Sequence, residues 1–328
     1  MYKKMRLFGL AAAFAALLVL AACGGSDEDS SSGESENGTS EDSTEESSGS
    51  ASDSSSTAEL GESELTIPYV AWAGAIARTP LVAQVLEEVG YTVETSQVES
   101  GAMYSSVATD DASFMTASWL PATDQTYWDQ YGEDLEDLGN FVDSAPLSLT
   151  VPSYMDVDSI EDLQGNQAVG EATDWTITGI DAGAGVMLQT ETAIEDYGLD
   201  NWELQSSSEG AMLSELQSAV DNEEPIVITG WQPHWMFSEM DLTMLEDPQE
   251  IYGGEGDRIG ALAHTSFQED SPAAYEAMQR LLEDYDQEME NELLVMVNVD
   301  DLEPAEAASQ FLENNPDLLE SWTEGLGE

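Results

Sequence analysis

Two separated stretches of this chain follow one plan, and a duplicated plan constrains the fold more than any single motif. Residues from Leu65 read LTIPYVAWAGAIARTPLVAQVLEEVGY, and those from Trp175 read WTITGIDAGAGVMLQTETAIEDYGL. Each is a short β-rich run, a Gly/Ala turn, an amphipathic helical run and a closing glycine. Each continues into a second strand (YTVETSQV; NWELQSSS) and a Gly-Ala-Met step, Gly101-Ala102-Met103 or Gly210-Ala211-Met212, that opens another helix. Each then ends a third strand on Trp-x-Pro: Trp119-Leu120-Pro121 and Trp231-Gln232-Pro233. Strands alternating with helices predict parallel β-α-β units. Two copies predict an α/β protein of two facing lobes, each a mostly parallel sheet flanked by helices. Ligands of such sheets bind outside the carboxyl ends of the strands, where the Trp-bearing turns fall. The connections between lobes are expected near 147–155, where LSLTVPSYM reads as a strand, and near 255–265.

The segment before the duplication reads differently. Lys3, Lys4 and Arg6 precede an apolar run from Leu7 to Leu20, the layout of a secretory signal and too short for a spanning helix. It ends Leu20-Ala21-Ala22-Cys23-Gly24, which resembles the lipobox of bacterial lipoproteins. That resemblance implies a signal over 1–22 and a diacylglyceryl anchor on Cys23; the alternative is a plain signal with an incidental cysteine. Cys23 is the only cysteine, so no intramolecular disulfide forms. Residues from there to 62 are almost all Ser, Gly, Asp, Glu, Thr and Asn, with too little apolar surface to offset ordering entropy. They are expected to be a disordered tether, leaving 63–328 as the binding domain. Between the repeats, VDSIEDLQG predicts a helical turn capped by Asp158 or Ser159 and stopped at Gly165. After them, SPAAYEAMQRLLEDYDQEMENELLVMV and PAEAASQFLENNPDLLESWTEG read as amphipathic helices packed on the outside, with no chemistry on them.

Net charge is −62, and beyond the signal the only basic residues are Arg78, Arg258 and Arg280. Nucleic acid and anionic lipid surfaces are excluded as partners by such a field. The acidity spreads over the whole domain, as suits concentrated salt, where the Debye length shrinks to about 3 Å at 1 M. This composition points to a secreted protein of a salt-loving organism.

Enzyme chemistry finds little support. There are two histidines, His234 and His264, and no GxSxG elbow, HExxH pair or phosphate-cradling loop. Among 68 acidic residues, any chosen carboxylate pair is far more often solvated surface than acid/base machinery. MDVDSIED and NVDDLE lack the Gly-6 and Glu-12 pattern of a calcium loop, so no metal is expected. The run Gly183-Ala184-Gly185-Val186-Met187 follows a strand and opens a helix. Its amides either point at a bound anion, with the helix dipole behind them, or form a tight turn needed for packing. The glycine spacing is not that of a dinucleotide fingerprint, so a carboxylate-sized anion fits better than a pyrophosphate. Of eight tryptophans, Trp72, Trp119 and Trp231 stand at strand ends beside small residues or proline. They are either cage walls for a cation, which an indole face holds best, or core anchors. Trp128, Trp175, Trp202, Trp235 and Trp322 read as core or surface anchors.

The segments AWAGAIA, SWLPAT, GIDAGAGVM and GWQPHWMF, in this order, resemble the substrate-binding lipoproteins of glycine betaine/choline ABC transporters. The resemblance covers nearly all of 64–325. It implies the type II periplasmic-binding fold, two α/β lobes that close on the ligand about a hinge. It places a trimethylammonium group among Trp72, Trp119 and Trp231, and a ligand carboxylate on the backbone amides of Gly185 and Val186. One departure bears on the ligand: glycine betaine binders commonly read WLPxTH, the histidine meeting the ligand carboxylate, and Asp124 stands here in its place. An ionised Asp124 beside a carboxylate is repulsive by a few kcal/mol at an effective dielectric of about 20. Asp124 therefore turns away, is protonated by burial, or favours a ligand without a carboxylate, such as choline. Gly74, where related choline binders often carry Asp, argues against choline. His234 lies in the other repeat and is expected to be structural.

The expected function is ligand capture without catalysis: a membrane-tethered, extracytoplasmic receptor delivering glycine betaine to an ABC permease with its ATPase, using no cofactor. Choline, proline betaine or carnitine are the alternatives within this fold. A secreted enzyme acting on a choline-type substrate is the alternative from another class.

Overall fold

The computed structural model describes residues 58–254 and 256–327. The signal-like segment, Cys23 and most of the expected tether lie outside the described residues. The tether is expected to run to residue 62, and the first described residues, from Ala58, already contact the rest of the domain. Ala58 pairs with Leu326, the Glu62 amide donates to the Asp270 carbonyl, and the Tyr91 hydroxyl donates to the Leu60 carbonyl. Leu60 packs on the core beside Gly90.

The first copy of the repeat builds β1 (Glu64–Tyr69), α1 (Ala73–Val89), β2 (Thr92–Gln97), α2 (Ser100–Ala108) and β3 (Phe114–Leu120). A short helix α3 (Gln125–Tyr131) and the long strand β4 (Leu135–Ala145) follow. The chain then enters the second lobe with β5 (Leu147–Pro152) and α4 (Gln167–Ala172). The second copy builds β6 (Thr176–Thr178), α5 (Gly185–Asp196), β7 (Glu203–Gln205), α6 (Glu209–Asn222) and β8 (Val227–Trp231). After α7 (Met236–Glu239) and β9 (Leu242–Met244), β10 (Asp257–His264) returns to the first lobe. Five helices finish it: α8 (Phe267–Asp270), α9 (Pro272–Asp284), α10 (Gln287–Asn298), α11 (Pro304–Asn314) and α12 (Pro316–Thr323).

The two sheets share one plan. In the second lobe the strand order is β7-β6-β8-β5-β9, with β6 parallel to β7 and β8. In the first, β1 pairs parallel with β2, and β3-β10-β4 form a three-stranded ladder. Ser113 stitches the two pieces together, its amide donating to the Thr66 carbonyl and its hydroxyl accepting from the Thr66 amide. The β-α-β units thus pair in parallel. The strands through which the chain changes lobes run antiparallel, β5 against β8 and β10 against β3. A strand arriving from the other lobe enters its sheet beside the Trp-x-Pro end, and so runs opposite to the strand it meets there. The two connections lie side by side, Asp257 pairing with Ala145.

Buried apolar residues follow the elements as their patterns require. All seven residues of β3 are buried, as a central strand covered on both faces demands. The turn after β5 is a 3-10 helix over Ile160–Leu163 with a complete capping box between Ser159 and Asp162, and Gly165 beyond it adopts a left-handed φ of 67°. The long run from 271 is two helices. It breaks at Tyr285-Asp286, where the Asp286 carboxylate accepts from the amides of Glu288 and Met289 to start α10.

Candidate functional site

Both Trp-x-Pro strand ends lie next to a connecting strand. Trp119 pairs with Ile259 of β10, and Trp231 pairs with Leu147 of β5. Both X-Pro bonds that follow, Leu120-Pro121 and Gln232-Pro233, are cis. Trp72 is the N-cap residue of α1, the position that Ala184 holds at the start of α5 in the second copy. One copy thus offers an indole where the other offers a helix N-terminus.

Trp72, Trp119 and Trp231 line a single small cavity together with Thr123, Leu147, Ile180, Ala184, Gly185 and Val186. The three indoles are only 8 %, 6 % and 4 % exposed, so the lobes are closed over them. The exposed lining is apolar. Among the described residues, the amides of Gly185 and Val186 have no hydrogen-bond acceptor, because they open α5 and no side chain caps it. Two residues with unpaired N–H groups at the positive end of a helix therefore line the same cavity as the three tryptophans. Gly185 is required by the close approach of the lobes: a Cβ there would run into the Thr123 carbonyl.

Direct hydrogen bonds join the lobes around this cavity. The Trp72 indole N–H donates to Asp181 Oδ2 at 3.0 Å, and the Tyr127 hydroxyl to the Gly183 carbonyl at 2.7 Å. Tyr127 in turn stacks on Tyr104, ring centroids 5.0 Å apart. Glu99, on the first lobe, has its carboxyl pushed above the ordinary range, chiefly by the charge of Asp181 facing it.

Asp124 does not line the cavity. It turns into its own lobe, 1 % exposed, where Oδ2 accepts from the Trp119 amide at 2.8 Å and from the Tyr104 hydroxyl at 2.9 Å. Burial raises its pKa to about 7, against the lowering effect of those two donors, and nearby Asp257 adds to the rise. The carboxyl is thus turned away, the first of the three outcomes open from the sequence, and its burial favours the protonated form. Asp257, also buried, accepts from the amides of Ala122 and Thr123 at 2.7 and 2.8 Å and so holds the turn that carries Thr123.

The far side of the cage carries a group that sequence reasoning missed. A second small cavity touches Trp72, Trp119 and Trp231 from behind and is closed by Arg78 and Glu290. Both side chains are 1 % exposed and meet at 2.6 Å. Arg78 also donates to the Thr116 carbonyl and lies 4.7 Å from the Phe141 ring centroid; Glu290 accepts from the Tyr285 hydroxyl at 2.6 Å. The helices after β10 were expected to carry no chemistry, yet α10 delivers this carboxylate under the cage. Gly74 makes room for it, since a Cβ there would lie 2.7 Å from Glu290 Oε1. The signal that could have found the pair is the arginine, one of only three basic residues after the signal segment and set in an apolar helix. The remaining tryptophans sit elsewhere: Trp175 packs edge-on against Trp202, Trp322 is the buried residue of α12, and Trp128 and Trp235 pack against the core. His234 is buried behind Trp231, with ring centroids 5.2 Å apart. Among the described residues no group of three or more His, Cys, Asp or Glu side chains is placed to hold a metal, and no helix is long and apolar enough to cross a membrane.

Residues 63–314 match the family model described as the substrate-binding domain of an ABC-type glycine betaine transport system. A glycine betaine/carnitine transport binding protein of Listeria monocytogenes, GbuC, is 46 % identical over 160 residues, 48 % of this chain and 52 % of that protein. The chain spans about half the length of the curated relatives it matches. Lactococcal OpuAC, solved closed with glycine betaine, aligns with a TM-score of 0.73 at 31 % identity, over 80 % of this chain and all of that one. A glycine betaine/L-proline-binding protein, ProX, from Borrelia burgdorferi gives 0.75 at 31 % identity, over 79 % and 96 %. With its two type II lobes closed on an aromatic cavity, this chain belongs to the family of substrate-binding domains of ABC-type glycine betaine transport systems.

Proposed function

We propose that this protein is the extracytoplasmic receptor of an ABC transporter and captures glycine betaine, or a close zwitterionic quaternary ammonium, between its lobes. The observation that carries the reading is one cavity lined by three buried tryptophans and by Gly185 and Val186, whose amides at the start of α5 are unpaired among the described residues. A trimethylammonium group is stabilised by the indole faces, most strongly once water is excluded. A carboxylate is stabilised by the two amides and the dipole of α5. A zwitterion uses both ends of the cavity, whereas choline leaves the amides unpaired. Asp124, turned into its own lobe, removes the repulsion that argued for choline. Contacts made with both lobes favour the closed state through differential affinity. The ligand is then handed to a membrane-embedded permease with its ATPase. Cys23 is read as the lipidated anchor, and the acidic segment after it as the spacer to the domain at the outer face of the membrane.

Titration of intrinsic tryptophan fluorescence with glycine betaine, choline and proline betaine at molar salt tests this. Glycine betaine is expected to saturate the signal at lower concentration than choline and to be recovered intact. No response to any of the three ligands removes the cage; a response to choline alone removes the role of the amides.

A further inference from the structure

One contact between the lobes does not touch the cavity, and it joins a helix start to a buried carboxylate. Helix α1 begins at Ala73, directly after the cage residue Trp72, and no side chain of its own lobe caps it. Its first amide, Ala73 N–H, donates instead to both carboxylate oxygens of Glu209, at 3.1 and 3.2 Å. Glu209 is the first residue of α6, in the second lobe, and is only 6 % exposed. Its Oε1 also accepts from His234 Nε2 at 3.2 Å. His234 Nδ1 accepts from the Met236 amide, so the ring proton lies on Nε2 and points at Glu209. The carboxylate is thus aimed by its own lobe and engaged by the other.

We infer that Glu209 is the closure latch of this receptor, a positioning residue that caps α1 of the opposite lobe only when the lobes meet and so holds Trp72 in the cage. Resting on the proposed ligand reading, it adds a determinant of residence time that makes no contact with the ligand. The physical basis is a carboxylate at the positive end of a helix of 17 residues, where the anion satisfies an orphan amide and the dipole favours its charge. When the lobes part, Ala73 N–H turns to water and Glu209 keeps only His234. The contact therefore counts in the closed state alone, which is the condition for biasing an equilibrium between two states. Asp181, holding the Trp72 indole N–H, acts from the same lobe on the same residue.

The test uses the full chain at molar salt, with glycine betaine as the probe and stopped-flow tryptophan fluorescence as the readout. Glu209→Ala is expected to raise the dissociation rate roughly tenfold, the scale of one charged cap on a helix, with the association rate little changed. Glu209→Gln, which keeps the shape and one acceptor oxygen, should fall between. The thermal midpoint without ligand should change much less than the stabilisation that ligand confers, because the open state lacks the contact. A merely structural Glu209 predicts the reverse: a lowered midpoint without ligand and an unaltered dissociation rate, and that result overturns the latch. A wild-type chain that does not bind glycine betaine removes the ligand reading itself. A binding wild type with an unchanged dissociation rate in both variants removes only the latch.

Discussion

A carboxyl group whose pKa is about 7 in the folded chain and near 3.8 when solvated makes stability depend on pH, and Asp124 is such a group. Below about pH 3.8 both states are protonated and the group costs nothing. As pH rises, the unfolded chain releases the proton first, so stability falls until the folded group also ionises near pH 7 and is constant above it. Asp124→Asn keeps an oxygen for the Trp119 amide and the Tyr104 hydroxyl and cannot ionise. Melting from pH 4 to pH 8 at molar salt should show the wild type losing stability relative to this variant, by a slope of at most one proton. Parallel profiles would show that Asp124 stays ionised throughout. The direction in which Asp124 points was not legible in the sequence. WLPATD places it five residues beyond Trp119, but whether it faces the ligand depends on Tyr104, a residue of α2 whose hydroxyl no local pattern reveals.

Among elements, α1 and α10 form the back wall of the cage, and their contact is a buried ion pair. Removing one partner of such a pair leaves the other charge without compensation, at a cost of about 3–5 kcal/mol. Glu290→Gln should therefore lower the thermal midpoint and also weaken ligand binding, since Arg78 lies directly behind Trp72 and Trp119. Calorimetry of melting and of glycine betaine binding on the same preparation checks both. A lower midpoint with unaltered affinity would make α10 a cover and nothing more. The elements themselves were largely legible, because a duplicated β-α-β pattern repeats its turns as well as its periodicity. The three tryptophans that line the cavity and the start of α5 could be placed for the same reason: strand ends and helix starts are local. Glu290 and Glu209 could not. Each is one acidic side chain among 68, and only a partner from a distant segment distinguishes it from a solvated one.

The whole molecule carries its charge almost without compensation. Each arginine among the described residues is committed: Arg78 to Glu290, Arg258 to Asp137 and Asn140, and Arg280 to Glu276 and the Glu324 carbonyl. No lysine follows residue 4. The remaining carboxylates repel one another over a range that falls from about 10 Å at 0.1 M salt to about 3 Å at 1 M. The thermal midpoint should rise with sodium chloride across that interval, and a midpoint indifferent to salt would detach the composition from a saline habitat. The route of the chain through the lobes has a further consequence, in time rather than in space. The second lobe is one continuous stretch, from β5 to β9, whereas the first is made of residues before β5 and after β9. During synthesis the second lobe can fold as soon as it emerges, while the first waits for β10 and the helices that follow. Trp72 and Trp119 are made early, but the last wall behind them arrives with α10. The wall behind the cavity is therefore complete only after α10 has been made.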